Sequence, residues 1–187
     1  MGMKKAKKRV PLGEARLLEY AVGMLARQMR TERELRRLMK RRAEEGAEGE
    51  RAMDAVVARL KALNYLSDVR FAADYTRLRV EGQKFGRRRV QQDLAAKGVA
   101  AETVGAAVSS AYAGVDEVAL ARAYVARKRM KQPAGDREKK QKETAKAMRR
   151  LVAAGFSTKT IWVVLREWGA EVEEVDVEEE QSVEDRG

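Results

Sequence analysis

Apolar residues recur at the spacing of a helix along most of the chain. The pattern i, i+3, i+4, i+7, which places four side chains on one face of a helix, occurs at three separate places. These stripes are Met53–Val56–Val57–Leu60, Val104–Ala107–Val108–Ala111 and Ile161–Val164–Leu165–Trp168. Runs of alternating β-branched residues are nearly absent, and only Pro11 and Pro133 interrupt the helix-favouring sequence. The pattern therefore predicts an all-α fold.

Two glycines mark the ends of the helices that precede the second and third stripes. Gly98 follows Leu94 by four residues, and Gly155 follows Leu151 by the same number. Glycine adopts the left-handed conformation just past a helix end without a steric penalty, and the next residue can then fold back on the helix. We therefore expect the apolar residue after each glycine to pack on the leucine before it.

The helices upstream of each stripe also match one another, and this similarity predicts three tandem units of three helices. The matching pairs in the first helices are Ala21–Leu25, Phe71–Tyr75 and Leu120–Tyr124, and those in the second helices are Leu35–Met39, Val90–Leu94 and Ala147–Leu151. Thr31 and Glu34 form a capping box that starts the first of these second helices. The predicted units are 13–66, 67–115 and 116–170, between a basic N-terminal tail (1–12) and an acidic C-terminal tail (171–187).

The units are too small to be stable singly. A domain of about 50 residues buries too little of its surface, so we expect the units to stack into an elongated, curved array, as helical repeats do. The apolar columns then form the core rather than a binding site. The first unit differs from the others, since Ala43 stands where they have the turn glycine and an acidic insertion, Glu44 to Glu50, follows it.

The composition excludes several kinds of chemistry. The chain has no cysteine and no histidine, and it therefore has no disulfide framework, no thiolate nucleophile and neither of the commonest zinc ligands. The glycine-rich phosphate-binding motifs of nucleotide-binding proteins do not occur. We expect a protein that is not an enzyme and that holds no metal and no cofactor.

Segment lengths predict a soluble, cytoplasmic protein with no membrane partner. The sequence contains no run of about 18 apolar residues of the kind that spans a bilayer. The first ten residues, MGMKKAKKRV, lack the apolar stretch that follows the lysines of a secretory signal.

Positive charge is concentrated in and around the second helix of each unit. The chain carries 40 Lys+Arg against 29 Asp+Glu, a net charge of +11, and residues 171–187 hold nine of the acids with a single arginine. Residues 27–42 contain eight bases against two acids, residues 77–97 seven against two, and residues 127–150 eleven against three. This recurrence indicates a stripe that binds a phosphate backbone or an acidic protein surface. The sequence leaves open the alternative that the charges only solvate helix faces.

The third helices argue against sequence-specific DNA recognition. In helix-turn-helix proteins the last helix reads base edges with Arg, Lys, Asn or Gln, and residues 102–112 contain none of these. Stacking of nucleobases on aromatic rings has little support. Phe85 lies among basic residues, but Tyr75 and Tyr124 fall on apolar columns and are expected in the core. Trp162 and Val163 lie beside the last stripe, which predicts contact with the neighbouring unit or, alternatively, a partner-binding patch.

Three segments, in order, resemble the RecX family of bacterial regulatory proteins. YLSD at 65–68, with RFA at 70–72 and Tyr75, resembles the family's GYLDDxRFAxxY join between units. The segment 85–99 resembles its GxxxIxxELxxKGI pattern, and 31–37 resembles SxxELRxKL. The resemblance covers residues 15–170. Departures from it are the two tails, and Asn64 and Ala43 where the family has glycine.

The resemblance implies a regulator of the RecA recombinase. Proteins of this family are all-helical repeats that lie in the groove of the RecA filament on single-stranded DNA. They inhibit its ATP hydrolysis, strand exchange and co-protease activity, and so act in homologous recombination, DNA repair and the SOS response. We expect a monomer, with double-stranded DNA as a further ligand. The residues expected to contact the filament or its DNA are the bases Arg36, Arg37, Lys84, Arg87, Arg88, Arg89, Lys97, Lys128, Arg129, Lys139 and Lys140.

Two other functions stay open from the residues alone. One is a nucleic-acid-binding protein without sequence specificity that acts independently of RecA. The other is a structural adaptor that binds through the apolar last helix. The acidic tail has two interpretations as well: it folds back on the basic stripe and weakens non-specific DNA binding, or it only keeps the protein in solution.

Overall fold

The computed structural model describes residues 10–169, and nine α-helices make up most of this range. They are α1 (Glu14–Arg27), α2 (Glu32–Met39), α3 (Ala47–Ala62), α4 (Asp68–Arg77), α5 (Arg87–Ala96), α6 (Ala101–Ala111), α7 (Glu117–Arg127), α8 (Arg137–Ala153) and α9 (Thr158–Glu167). Within this range the only β-type pairing is an isolated bridge between Leu12 and Ala43. The all-α prediction is therefore confirmed. The hypotheses about the acidic tail lie outside the described residues, as do the first nine residues of the basic tail.

The helices pack in groups of three. Helices α1–α3 contact one another, α6 packs on α4 and α5, and α9 packs on α7 and α8. These groups fall within residues 13–66, 67–115 and 116–170, and we propose those ranges as the boundaries of the three-helix repeats.

The glycine turns have the predicted geometry. Gly98 and Gly155 are left-handed, with φ angles of 81° and 87°. The N–H of the residue after each glycine donates a hydrogen bond to the carbonyl of Leu94 (3.2 Å) or Leu151 (3.3 Å), which closes the helix end. The capping box of Thr31 and Glu34 is also formed. In the first unit Asn64 takes the left-handed position after α3, with φ 57°, which asparagine tolerates better than most residues.

The second unit reaches α5 through an unusual connection. A π-helical segment, Leu78–Gln83, continues α4 and ends at Lys84, whose backbone is left-handed with φ 59°. The extra length between the first and second helices of this unit is therefore helical and extends α4 rather than looping out.

The apolar side chains form two separate cores. One is formed by α1–α3 with Leu66, which follows α3, and includes the whole first stripe, Met53 to Leu60. The other runs through α4–α9, so the second and third units share one core. Most residues of the other two stripes are buried there, with Trp168 and two alanines half-buried. Trp162 is half-buried against the same core, whereas Val163 is 36% exposed.

No helix within residues 10–169 combines the length and the apolar character needed to cross a bilayer.

Candidate basic interface

The second helices of the three units, α2, α5 and α8, meet end to end. The hydroxyl of Thr31, the N-cap of α2, donates a hydrogen bond of 2.8 Å to the carbonyl oxygen of Lys97, the C-cap of α5. The N–H of Gly86, the N-cap of α5, donates one of 2.9 Å to the carbonyl oxygen of Ala154, the C-cap of α8. The N-termini of α2 and α5 therefore each contact the C-terminus of the next helix in the row, an arrangement of opposite partial charges. We call α2, α5 and α8 together the basic row.

The first joint of the row, between α2 and α5, is made largely by side chains. Lys97 forms an ion pair of 2.7 Å with Glu34, and both side chains are largely shielded from solvent. The N–H of Glu32 donates a hydrogen bond of 2.8 Å to the carboxylate of Asp68 at the start of α4. Since the apolar cores on the two sides are separate, these polar contacts contribute directly to holding the first unit on the second.

The second joint, between α5 and α8, is made largely by backbone. In addition to the bond from Gly86, the N–H of Arg88 donates to the carbonyl of Gly155 at 3.2 Å. The guanidinium of Arg89 donates to the carbonyl of Ala153 at 3.4 Å. The two backbone segments approach so closely that a Cβ on Gly86 would lie 2.3 Å from the carbonyl oxygen of Gly155. Only glycine fits at this contact.

The far end of the row, at the C-terminus of α2, is covered as well. The N–H of Leu12 donates a hydrogen bond of 2.7 Å to the carbonyl oxygen of Arg42. Arg42 lies three residues past Met39, as Lys97 lies three residues past Leu94. The carbonyl at this repeat position therefore accepts a hydrogen bond from an earlier part of the chain in every unit.

Most of the predicted site residues make no ion pair with another described residue, and these are Arg37, Lys84, Arg87, Arg88, Lys128, Arg129, Lys139 and Lys140. All are exposed except the half-buried Lys84. Two of them lie over aromatic rings: Arg87 is 5.7 Å from the centre of Tyr112, and Lys128 is 5.8 Å from that of Tyr124. Lys128 and Arg129 lie at the end of α7, beside the row rather than on it. This set is therefore available to an anionic partner.

The remaining predicted residues, Arg36, Arg89 and Lys97, are engaged within the protein. Arg36 pairs with Glu32 at 2.8 Å and with Asp54 at 2.7 Å, and the hydrogen bond that Arg36 donates to Glu32 raises the pKa of Arg36. Arg89 pairs with Asp93 at 2.9 Å. The structure thus separates Arg89 from its neighbours in the RRR run, because it faces its own helix and α8 while they face solvent.

A polar and aromatic cluster supports the start of α5, and sequence reasoning missed two of its members, Arg79 and Asp93. The guanidinium groups of Arg79 and Arg89 each lie 5.7 Å from the centre of the Phe85 ring. Arg79 donates a 2.6 Å hydrogen bond to the hydroxyl of Tyr75, which donates one of 3.0 Å to Asp93. Burial raises the pKa of Tyr75, so the hydroxyl stays protonated and donates. Tyr75 was expected in the core and is instead half-buried at its edge, whereas Tyr124 is buried as predicted.

Tyr65 is the one exposed aromatic residue among those described, with 63% of its surface accessible. Leu63 and Val69, 54% and 65% exposed, lie close to it in the chain. Tyr65 stands between α3 and α4, where helical periodicity assigns no face, and this is why the pattern gave no indication of its exposure. In the same residue range no cluster of Asp and Glu side chains is placed to hold a metal ion.

Comparison with known proteins identifies the family. The family model "RecX, second three-helix domain" matches residues 67–108. The regulatory protein RecX of Chromobacterium violaceum is 34% identical over 145 residues, which cover 78% of this chain and 86% of the relative. RecX of Neisseria meningitidis serogroup A is 32% identical over 147 residues, with the same coverage of both chains.

Solved structures show the same fold. The crystal structure of RecX from Lactobacillus salivarius superposes with a TM-score of 0.61 at 19% identity, covering 83% of this chain and 96% of that one. A second crystal structure of a regulatory protein RecX gives a TM-score of 0.64, also at 19% identity, over 82% of this chain and 73% of that one. Together with the sequence relatives, these similarities establish that the chain belongs to the RecX family of regulatory proteins.

Proposed function

We propose that this protein binds the RecA filament on single-stranded DNA and inhibits its ATP hydrolysis, strand exchange and co-protease activity. Membership of the RecX family supports a regulatory role. The finer assignment rests on one observation: the helices that carry the unpaired bases are joined end to end. The protein would act in the cytoplasm as a monomer.

The basic row suits an extended anionic partner. Its exposed bases, such as Arg37, Arg88 and Lys140, are distributed over three helices whose ends are fixed to each other by hydrogen bonds. Binding phosphates along such a row releases condensed counterions, so the affinity falls steeply with salt. The third helix of the middle unit, α6, has no Arg, Lys, Asn or Gln over residues 102–112, which favours binding without sequence specificity.

The test is RecA-dependent ATP hydrolysis on single-stranded DNA with the wild-type protein and with an Arg87→Ala/Arg88→Ala variant. Both arginines are exposed and neither forms an ion pair with another described residue, so we expect their loss to leave the fold intact. We expect inhibition by the wild type well below the concentration that coats the DNA, and a shift of the double variant to at least 10-fold higher concentration. The control is Arg16→Ala/Arg51→Ala, which removes the same charge from exposed sites on α1 and α3, outside the row.

A second candidate function is general nucleic-acid binding without a role for RecA. The unpaired bases alone favour it, because they require only phosphates. Inhibition that begins only when the wild-type protein is abundant enough to coat the DNA would support this function and overturn the first. Equal inhibition by the Arg87→Ala/Arg88→Ala variant and its control would contradict the assignment of the row as the binding surface.

A further inference from the structure

A cationic cleft lies where the α7–α8 connection passes over the middle of α8. Its volume is about 220 Å³. The connection contributes Arg129, Met130 and Lys131, and α8 contributes Glu143, Lys146, Ala147 and Arg150. All four of its basic residues fall in the basic stretch 127–150, but only Arg129 is among the individual residues expected to contact the filament or its DNA.

The charges of this cleft are not balanced within the described residues. Four bases face a single carboxylate, and neither the bases nor Glu143 form an ion pair with another described side chain. Lys146 and Arg150 are one helical turn apart on α8, a spacing at which like charges destabilise a helix. A bound anion would offset this repulsion. The charges of the cleft therefore favour a negatively charged ligand.

The connection that supplies half of the bases is fixed in place. The N–H of Met130 donates a hydrogen bond of 3.1 Å to the carbonyl of Val125, which closes the end of α7. The side chain of Met130 is half-buried against the core shared by α4–α9. Arg129 is left-handed with φ 48°, a conformation that glycine adopts more easily. The chain thus places an arginine, where the matching turns after α5 and α8 have glycine, at the left-handed position that closes α7, at the edge of the cleft.

We propose that the cleft binds the phosphodiester backbone of a nucleic-acid strand. Arginine donates two parallel hydrogen bonds to phosphate oxygens, and lysine supplies a compact positive charge beside them. The cleft contains no aromatic side chain for a base to stack on, which limits recognition to the backbone. Because α8 belongs to the basic row, the strand would continue from the cleft along that row. The continuation of the strand along the row rests on the proposed function. Binding of the strand in the cleft itself is tested independently with bare DNA.

The experiment measures the binding of a fluorescein-labelled 20-nucleotide oligothymidine to the full chain by anisotropy at several salt concentrations. The variant is Lys146→Gln/Arg150→Gln. The control, Arg16→Gln/Lys159→Gln, removes one arginine and one lysine from exposed positions on α1 and α9. Circular dichroism melts show whether each variant is folded. We expect the cleft variant to bind at least 10-fold more weakly. The negative slope of log K against log salt should become shallower by about 0.7–1.4, since each single-strand phosphate contact accounts for about 0.7.

Other outcomes overturn the proposal. Wild-type affinity and salt slope in the folded cleft variant would show that no strand is bound there. If 10 mM inorganic phosphate, at constant ionic strength, raises the melting temperature of the wild type but not of this variant, while DNA binding is equal, the cleft is a site for free phosphate. Unchanged DNA binding with lost inhibition of RecA would assign the cleft to an acidic protein surface. If the variant binds DNA more weakly but the wild-type protein does not inhibit RecA, the proposal for the cleft stands and the proposed function is wrong.

Discussion

The hydroxyl of Thr31 donates a hydrogen bond of 2.8 Å to the carbonyl oxygen of Lys97, and these two residues are 66 positions apart in the chain. The same hydroxyl accepts a hydrogen bond of 3.2 Å from the N–H of Glu34 and so caps α2. One completely buried side chain therefore starts a helix and joins it to the next unit. At the joint between α5 and α8, the backbone N–H of Gly86 alone makes the hydrogen bond that connects the two units.

Replacement of Thr31 by valine should destabilise the protein by about 1–3 kcal/mol, because it leaves two partly buried groups, the N–H of Glu34 and the carbonyl of Lys97, without their hydrogen-bond partner. Valine keeps the shape of threonine, so the loss measures the hydrogen bonds. The measurement is the free energy of unfolding by urea. Thr31→Ser keeps both bonds and removes only one methyl group, and we expect it to cost less. A Thr31→Val variant as stable as the wild type would contradict the contribution of these hydrogen bonds.

Contacts within a unit were predictable from the sequence because they are local. The spacing of Leu94, Gly98 and the apolar residue after it requires only that a helix end at a left-handed glycine, and the structure has that geometry. The same holds for the capping box at Thr31, whose two hydrogen bonds span three residues.

Contacts between units were not predictable, because they pair residues far apart in the chain. Nothing near Thr31 in the sequence indicates Lys97 as its second partner. The RRR run at 87–89 looks uniform in sequence, yet Arg89 is held by Asp93 and by the carbonyl of Ala153. A basic residue is therefore available to a partner only if it lies on a solvent-facing side of its helix and makes no contact with the neighbouring unit. Composition gives information on neither point.

Gly86→Ala tests the close contact at the second joint. The backbone of Gly86 is in an ordinary extended conformation (φ −74°, ψ 161°), so the added methyl group acts only through its collision with the carbonyl of Gly155. We expect a loss of about 1–3 kcal/mol in the free energy of unfolding, as for other overpacked sites.

The matched control for this substitution is Gly105→Ala, in the middle of α6. An added Cβ there meets no atom within 4 Å, and alanine is the better helix former by about 1 kcal/mol. We expect this variant to be more stable than the wild type. Destabilisation of both variants by the same amount would contradict the close approach of the two backbones at Gly86.

Glu117 should make stability depend on pH. Its carboxylate accepts hydrogen bonds from the N–H of Ser157 at 3.0 Å, from the Ser157 hydroxyl at 2.5 Å and from the Thr160 hydroxyl at 2.5 Å. Burial by itself raises the pKa of Glu117, but these hydrogen bonds outweigh it, and the net effect is a pKa below the ordinary value of 4.5. Ionised Glu117 therefore holds the N-terminus of α9 on α7.

A carboxyl group with a lowered pKa in the folded state stabilises the fold above its ordinary pKa, and this contribution disappears as the pH falls through the folded value. We therefore expect Glu117→Gln to lower the melting temperature at neutral pH, and the difference from the wild type to shrink below about pH 4.5. Glu19→Gln, at an exposed position within α1 and past its first turn, is the control and should match the wild type throughout. A difference that is constant from pH 7 to pH 3 would mean that ionisation of Glu117 does not contribute.

Arg88 and Arg89 should separate binding from stability, although they are adjacent and chemically identical. Arg89→Ala removes the ion pair with Asp93 and the bond to Ala153, so we expect a loss of about 1 kcal/mol in the free energy of unfolding. Arg88 is exposed and makes no side-chain ion pair with a described residue. Its replacement by alanine should change stability by less than about 0.5 kcal/mol.

The binding measurements should show the opposite order. If Arg88 contacts a phosphate, Arg88→Ala weakens binding to single-stranded DNA. The negative slope of log K against log salt then becomes shallower by about 0.7, because one counterion-releasing contact is lost. Arg89→Ala should leave that slope unchanged, since its guanidinium is already neutralised by Asp93. Anisotropy titrations at three or more salt concentrations, with urea melts of the same samples, measure both quantities. A reduced slope in Arg89→Ala and a normal one in Arg88→Ala would place the bound strand on the opposite side of α5, facing α8.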